Sequence, residues 1–303
     1  MDHLPPTSIW ALMPERLAAL AAQEYAPRRS ASVRSAGPTI AKGPQLRSVA
    51  VVPLFGILTQ HPSYLGDYDL DSFTASFQNA VLNPDVTTIL LVIDSPGGSV
   101  YGVKEASDLV YAARAVKPVV AIANSLAASA AYWIGCSASE FYCTPSGEVG
   151  SIGVWQLHLD ISGAMEKAGV KPTLISSGKF KVEGNPYEPL GPEAVEAMQD
   201  GSDNVYSMFT GDVARGRGVK VSDVRAGMGQ GRILGAKEAL RQKMIDGIQT
   251  LPQVVQTLTR NPRGPGKTAV LSVERARLGL DPGGANRPKL SQSRRELELL
   301  KNG

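Results

Sequence analysis

The chain has 303 residues, 43% of them hydrophobic, with 31 basic and 28 acidic side chains. That length is enough for one large domain or two ordinary ones with a sizeable core. No apolar run is long enough for a transmembrane helix. The N-terminal segment lacks the pattern of a secretory signal peptide, because Glu15 and Arg16 interrupt its apolar part. We therefore expect a cytoplasmic protein with no membrane span.

Basic charge is concentrated at the two ends of the chain. Residues 1–48 carry six basic and three acidic side chains, and residues 260–303 carry ten and four. The intervening residues carry fifteen basic and twenty-one acidic side chains. Basic arms can bind nucleic acid or an acidic partner, but a solvated flexible tail explains the charge equally well. No other feature of the sequence supports a nucleic-acid contact.

The two cysteines, Cys136 and Cys143, form no metal-ligand pattern with the three histidines. Disulfides are rare in the cytoplasm. We expect both thiols to be free and to serve only in packing.

Strand-like and helix-like segments alternate along the chain. Apolar, β-branched runs predict strands at 48–58, 87–95, 117–124, 140–145 and 171–176. Helical spacing predicts helices at 71–83 (with Asp71 as its cap), 101–116, around Ser129, 160–170, 191–216 and 236–244. This alternation is typical of βαβ units, so it predicts an α/β fold with a mostly parallel sheet and flanking helices.

Three regions are predicted along the chain. Residues 1–48 form an N-terminal arm with a short helix, and residues 49–255 form the folded body. From 256 to 303 the sequence turns rich in proline, glycine and arginine, which predicts a basic, flexible C-terminal tail.

The strand predicted at 87–95 is followed by an unusual turn sequence. It reads DSPGGSV, with Gly97 and Gly98 directly after the buried run. Parallel α/β sheets place ligands at the carboxyl ends of their strands, and exposed backbone N–H groups there can hold an oxyanion. Taken alone, a Gly-Gly pair is more often an ordinary turn.

The strand predicted at 117–124 leads into a stretch of small residues around Ser129, AIANSLAASAAYWIG. This places Ser129 at or near the start of a helix, where negative charge is stabilised. The N–H group of Ala130 is then a candidate second oxyanion donor. The serine is either a nucleophile or an inert small residue in a crowded helix.

A serine nucleophile requires a base. None of the three histidines sits in a recognisable triad signature. A lysine is the alternative base, and it must be partly desolvated or near another cation to be neutral. The segment SGKFK offers Lys179 and Lys181 after the strand predicted at 171–176. Alternation along an extended chain would put both on one face, so spacing does not choose between them.

Five segments between residues 49 and 250 carry a family resemblance. They are, in order, DSPGGSV, SLAASAAYWI, GEVGSIGV, SGKFKVEGNPYEPL and GQGRILGAKEALRQKMID. Together they resemble peptidase family S49, which includes the signal peptide peptidase A enzymes and phage head maturation proteases. The resemblance implies a ClpP-like fold, related to that of the crotonases, and a polypeptide substrate. It also implies assembly into a homo-oligomer and chemistry that needs no metal or other cofactor.

The resemblance also implies a Ser-Lys dyad. Ser129 matches the family's nucleophile, and Lys181 matches its general base, the third residue after a Ser-Gly pair. Ser151, in GSIGV, matches the serine that positions the lysine amine. The backbone N–H groups of Gly98 and Ala130 match the oxyanion hole.

The N-terminal segment IWALMPERLAALAA, the basic tail and the expected lack of a membrane anchor resemble the prophage-borne branch of the family, whose members process capsid or scaffold proteins. Two alternatives within the resemblance are a cytoplasmic protease like signal peptide peptidase that degrades peptides, and a catalytically silent capsid-assembly scaffold protein. A crotonase acting on acyl-CoA is disfavoured, because residues 117–139 contain no Asp or Glu and that chemistry usually needs a carboxylate.

Overall fold

A ten-stranded sheet organises the part of the chain that this computed structural model describes, namely residues 10–12, 39–42, 48–63 and 68–260. The strands are β1 (Trp10–Leu12), β2 (Thr39–Lys42), β3 (Ser48–Thr59), β4 (Tyr68–Asp69), β5 (Val86–Ser99), β6 (Val119–Ala128), β7 (Glu140–Cys143), β8 (Glu148–Gly150), β9 (Ile233–Gly235) and β10 (Gly247–Ile248). The helices are α1 (Leu70–Leu82), α2 (Val103–Ala113), α3 (Ala130–Gly135), α4 (Ser162–Lys167), α5 (Pro192–Arg217), α6 (Val221–Ala226), α7 (Ala236–Arg241) and α8 (Leu251–Arg260).

Parallel pairing dominates the centre of this sheet. The main order is β10-β7-β6-β5-β3-β2, and each neighbouring pair from β10 to β3 is parallel. Antiparallel pairs form between β2 and β3, β1 and β5, and β8 and β9. Parallel neighbours need crossover connections, which are usually helices. The predicted α/β fold with a mostly parallel sheet and flanking helices is confirmed.

The central strands are covered on both faces, as parallel strands require. Side chains alternate between the two faces of a strand. On β5, Leu91 and Ile93 pack into the larger core under α1, α2, α3 and α5. Leu90 and Val92 face the opposite side and pack with Val254 of α8. The near-continuous apolar run of β5 therefore contributes side chains to two hydrophobic cores, one on each face of the sheet.

Helix α1 begins at a different cap from the one predicted. Asp69 keeps an extended backbone, and its carboxylate accepts a 2.8 Å hydrogen bond from the Ser72 N–H group. The predicted cap, Asp71, is wrong, because this residue lies within the first helical turn. The helix otherwise follows its apolar spacing, with Phe73 and Phe77 fully buried.

β5 is longer than predicted. It continues to Ser99 instead of ending at Ser95, because Gly97 and Gly98 pair with the end of β3. The glycine turn is therefore part of the sheet, and its backbone is held by a neighbouring strand.

The predicted strand at 171–176 is absent. These residues have no regular secondary structure and are exposed. Leu174 is 44% exposed and Ile175 is 95% exposed. The apolar, β-branched composition favoured a strand, but no strand of the described sheet lies alongside to pair with it. This segment is a surface element and not part of the core.

Parts of both predicted arms can be compared with the structure. Trp10–Leu12, within the arm for which a short helix is predicted, forms strand β1. Helix α8 extends to Arg260, beyond the predicted start of the tail at 256. The rest of the predicted N-terminal helix and the tail from 261 lie outside the described residues. Among the helices that are described, none is long and apolar enough to cross a membrane.

Candidate active site

Ser129 occupies a strained turn between β6 and α3. Its backbone has φ 56° and ψ −121°, a conformation that costs a residue with a Cβ roughly 1–3 kcal/mol and is found most often at functional sites. Its N–H group donates to the Gly150 carbonyl at 2.7 Å, and its carbonyl accepts from the Trp133 N–H group at 2.9 Å. These two bonds hold the turn, and the residue is only 1% exposed.

The short helix after Ser129 is anchored by its large side chains. The Tyr132 hydroxyl donates to the Met244 carbonyl at 3.0 Å, and burial raises the pKa of this hydroxyl well above its usual range. The Trp133 indole donates to Asp212 at 2.8 Å and stacks on Phe209 with ring centroids 4.5 Å apart. Both anchors fix the position of α3, and therefore that of the serine at its start.

Asp212 is itself held by a group of charges. It is 5% exposed, and its carboxylate lies 3.0 Å from Arg215 and 3.6 Å from Lys104. Both cations also pair with Asp108, at 2.7 and 2.6 Å. Partial burial raises the pKa of Asp108, but the hydrogen bonds from Lys104 and Arg215 outweigh it and lower that pKa overall. A buried carboxylate needs such partners to remain charged.

The glycine turn at the end of β5 is packed against β3. A Cβ atom on Gly98 would lie 1.9 Å from the Leu58 carbonyl oxygen, so only glycine fits. Ser95 stabilises the same turn, because its hydroxyl donates to the Gly56 carbonyl at 2.6 Å and accepts from the Gly97 N–H group at 3.1 Å. The backbone of the candidate oxyanion donor is therefore preorganised.

Ser151 is brought beside Ser129 by strand pairing. Ala128 at the end of β6 pairs with Gly150 at the end of β8, so the two serines follow neighbouring strands at the same level. Ser151 also has a positive φ of 55°, and its N–H group donates to the Arg232 carbonyl at 2.9 Å. The two serines, both with positive φ, therefore directly follow the ends of two adjacent strands.

The two lysines that spacing could not separate have different surroundings. Lys179 lies 3.0 Å from Glu193 and 4.3 Å from the centre of the Phe180 ring. Lys181 lies in a turn, where its N–H group donates to the Gly178 carbonyl at 3.2 Å. Its amine forms no ion pair with any residue that the structure describes.

The structure brings most of the predicted site together, but not all of it. Gly98, Ser129 with Ala130, and Ser151 lie at the carboxyl ends of β5, β6 and β8. Lys181 is exposed in a segment without regular structure. Within the described residues, no hydrogen bond joins its amine to Ser129 or Ser151.

Sequence reasoning missed two supporting residues. Ser95 holds the glycine turn, and its position directly before Pro96-Gly97-Gly98 was a usable signal. Asp212 lies between the buried residues Phe209 and Val213 of α5. A carboxylate on the apolar face of a helix indicates a specific partner, which is Trp133 here.

Both cysteines are free and buried, as predicted. Burial raises the pKa of each thiol to about 12. Neither is a nucleophile at neutral pH, because the thiolate is the reactive form.

Comparison with known proteins identifies the family. The profile of peptidase family S49 matches residues 112–262, which include Ser129, Ser151 and Lys181. The chain belongs to peptidase family S49.

Two relatives of this S49 chain come from phages. The capsid assembly protease C of Escherichia phage lambda is 36% identical over 210 residues, which are 68% of this chain and 48% of that protein. The head-tail preconnector protein GP5 of Enterobacteria phage P21 is 32% identical over 238 residues, covering 76% of this chain and 47% of that protein. The chain therefore spans about half the length of these curated relatives.

Among solved structures, a ClpP1 variant from Listeria monocytogenes aligns with 67% of this S49 chain and 92% of its own chain. The TM-score is 0.44 and the sequence identity is 14%.

Proposed function

We propose that this chain is a serine endopeptidase in which Ser129 and Lys181 form the catalytic dyad. The observation that carries the proposal is the strained turn that holds Ser129 beside Ser151 and at the sheet end where Gly98 lies. Membership of family S49 supports it. A buried serine in a costly backbone conformation needs a reason, and nucleophilic catalysis supplies one.

In the proposed mechanism, neutral Lys181 removes the proton from the Ser129 hydroxyl as the oxygen attacks a peptide carbonyl. The N–H groups of Gly98 and Ala130 stabilise the oxyanion, and one such donor is worth about 2.7–4 kcal/mol in the transition state. Protonated Lys181 then gives its proton to the leaving amine. Water hydrolyses the acyl-enzyme, with Lys181 again as the base. Ser151 positions the lysine amine.

The proposal includes a homo-oligomer. Lysine is a base only when it is neutral, which requires removal from water, yet Lys181 is exposed in the single chain. Large apolar side chains near it are exposed as well: Val170, Leu174, Ile175, Phe180 and Tyr187. Several exposed large apolar side chains in one segment of a chain are typical of a protein interface. A neighbouring copy covering this segment would also exclude water from Lys181.

The proposed substrates are capsid or scaffold proteins, processed in the cytoplasm during phage head assembly. The names of the two phage relatives support this role, since one is a capsid assembly protease and the other a head-tail preconnector protein. One alternative is a peptide-degrading enzyme, supported by a match to a signal peptide peptidase SppA-like protein of Enterococcus faecium, 26% identical over 204 residues. A catalytically silent scaffold protein is a further alternative.

Hydrolysis of an unfolded protein by purified wild type, Ser129→Ala, Lys181→Met and Lys179→Met tests the dyad. We expect wild type and Lys179→Met to cleave, and Ser129→Ala and Lys181→Met to be inactive. Lys179→Met is the matched control, because it removes the same charge two residues away.

Three other outcomes would change the proposal. Cleavage by Ser129→Ala at the wild-type rate would show that the serine only packs. Inactivity of Lys179→Met in place of Lys181→Met would move the base to Lys179. If wild type cleaves nothing and Ser129 does not react with a serine-directed acylating probe, the silent scaffold replaces the peptidase.

A further inference from the structure

The strand that carries Gly98 is paired on both of its edges. β1 runs antiparallel to Gly97–Ser99, with Ala11 opposite Gly98. The end of β3 pairs with the same glycines from the other side, with Leu58 opposite Gly98. A strand has only two hydrogen-bonding edges. β1 therefore lies on the edge of β5 that faces away from β3.

That edge is the one from which Ser129 is reached. Earlier along β5 it pairs with β6, up to the pair Ser95 and Ala127. Beyond Ser95 no further β5–β6 pair forms in the described sheet, and β6 ends at Ala128, directly before Ser129. β1 therefore pairs with the same edge of β5 directly beyond the last residue that pairs with β6.

In the proposed mechanism, a peptidase substrate binds at this same edge of β5, between Gly98 and Ser129. An extended polypeptide that adds to a sheet edge gains main-chain hydrogen bonds without a strict sequence requirement. On this edge its carbonyl groups would lie between the glycine turn and Ser129. One edge of a strand pairs with one other strand at a time, so the substrate and β1 cannot both pair with Gly97–Ser99.

We propose that the Gly97–Ser99 edge is the docking edge for the substrate strand, and that residues 10–12 are its resident occupant. The chain's own N-terminal strand then acts as an intramolecular inhibitor that a polypeptide substrate must displace. This inference rests on the proposed function, because it assigns the substrate position of that site.

The competition has a kinetic signature. A binding-competent state that is only partly populated raises the apparent dissociation constant in proportion, without altering the bound state. A tethered strand competes at a fixed, high effective concentration. Weakening β1 therefore lowers KM for a substrate added in trans and leaves kcat unchanged.

A reversible crosslink tests the occupancy directly. Trp10 and Ser99 are paired across β1 and β5, and Cα atoms of such pairs are about 4.5–5.5 Å apart, within the range of about 4.4–6.8 Å that a disulfide spans. In the full-length double variant Trp10→Cys/Ser99→Cys, we expect oxidation to form the disulfide and to reduce cleavage of an unfolded protein at least tenfold. A reductant should restore the rate. The single variant Trp10→Cys, treated with the same oxidant, is the control.

Substitution of Ala11 tests the same strand without a crosslink. Ala11→Pro removes the N–H group opposite Gly98 and disfavours a ladder position, whereas Ala11→Ser keeps that N–H group. We expect Ala11→Pro to lower KM about five- to tenfold, the size of one net backbone hydrogen bond, and Ala11→Ser to keep the wild-type KM.

The outcomes separate this inference from the proposed function. If the disulfide does not form, or if the oxidised variant cleaves as fast as the reduced one, the proposal that β1 blocks the substrate edge is wrong. The proposed peptidase function is unaffected by that result. If wild type cleaves nothing and Ser129 does not react with the acylating probe, the proposed peptidase function is overturned and the inference with it. If wild type loses residues 10–12 and Ser129→Ala retains them, the strand is a substrate and its inhibitory role is overturned.

Discussion

The N–H group of Ser129 donates a 2.7 Å hydrogen bond to the carbonyl of Gly150. This bond joins the strained turn after β6 to the end of β8, and it sets Ser129 beside Ser151. Both partners have positive φ angles, 56° at Ser129 and 128° at Gly150. The candidate nucleophile therefore depends on a glycine 21 residues away along the chain.

Gly150→Ala should damage both stability and activity. The added Cβ would lie 2.7 Å from the Arg232 carbonyl oxygen, at a φ that L-residues rarely adopt. Backbone strain alone should cost roughly 1–3 kcal/mol of the free energy of unfolding, measured by chemical denaturation. Gly211→Ala is the control, because nothing lies within 4 Å of its added Cβ in α5, and it should gain about 0.5–1 kcal/mol. Wild-type stability of Gly150→Ala would show that the β6–β8 junction tolerates displacement.

Asp212→Ala should loosen the helix that follows Ser129. It leaves the buried indole N–H group of Trp133 without its 2.8 Å partner, which costs about 1–3 kcal/mol. Asp200→Ala, at an exposed position on the same helix, should stay within about 0.5 kcal/mol of wild type. A double-mutant cycle with Trp133→Phe isolates the contact. Additive effects in that cycle would contradict a coupling between the two side chains.

Ile175→Glu should disrupt the proposed homo-oligomer. Ile175 is 95% exposed in the single chain and lies in the segment that carries Lys181, so a charge there would oppose burial by a neighbouring copy. We expect a smaller species by analytical ultracentrifugation and at least a tenfold loss of cleavage. Leu82→Glu is the matched control, since Leu82 is 75% exposed at the end of α1. An unchanged mass for Ile175→Glu would place the interface elsewhere.

Asp246 should contribute stability that disappears in acid. Partial burial raises the pKa of its carboxyl, but the hydrogen bond from Arg217 and that from the Phe141 N–H group outweigh it, so the folded pKa is lowered. A lowered folded pKa means that the contribution is fully present above the unfolded value of about 3.9 and is lost as the pH falls through the folded value. Thermal unfolding of wild type and Asp246→Asn should therefore differ at pH 7, and the difference should shrink as the pH falls below the unfolded value and through the lower folded one. A constant difference across this range would exclude the carboxylate as the cause.

Cys136 and Cys143 should resist alkylation in the folded protein. Both are buried, and burial raises the pKa of each thiol to about 12. Iodoacetamide at pH 8 should modify neither thiol in native protein and both in denaturant, as measured by intact mass. Rapid native modification of either thiol would show that its surroundings open readily.

Local patterns were sufficient for most of the fold. The apolar runs of β3, β5 and β6 and the helical spacing of α1, α2 and α5 are visible in the sequence, because side-chain period and composition follow from which faces are buried. The resemblance of the ordered motifs to family S49 then pointed to Ser129, Lys181 and Ser151.

Tertiary structure decided which segments find partners. Residues 171–176 have the composition of a strand, but a strand exists only where another backbone pairs with it. β5 extends past Ser95 for the converse reason, since the end of β3 pairs with Gly97 and Gly98. Glu193 forms an ion pair with Lys179 and not with Lys181. Asp212 accepts the hydrogen bond of the Trp133 indole. Such hydrogen bonds and ion pairs join residues far apart in the chain, and local sequence does not encode them.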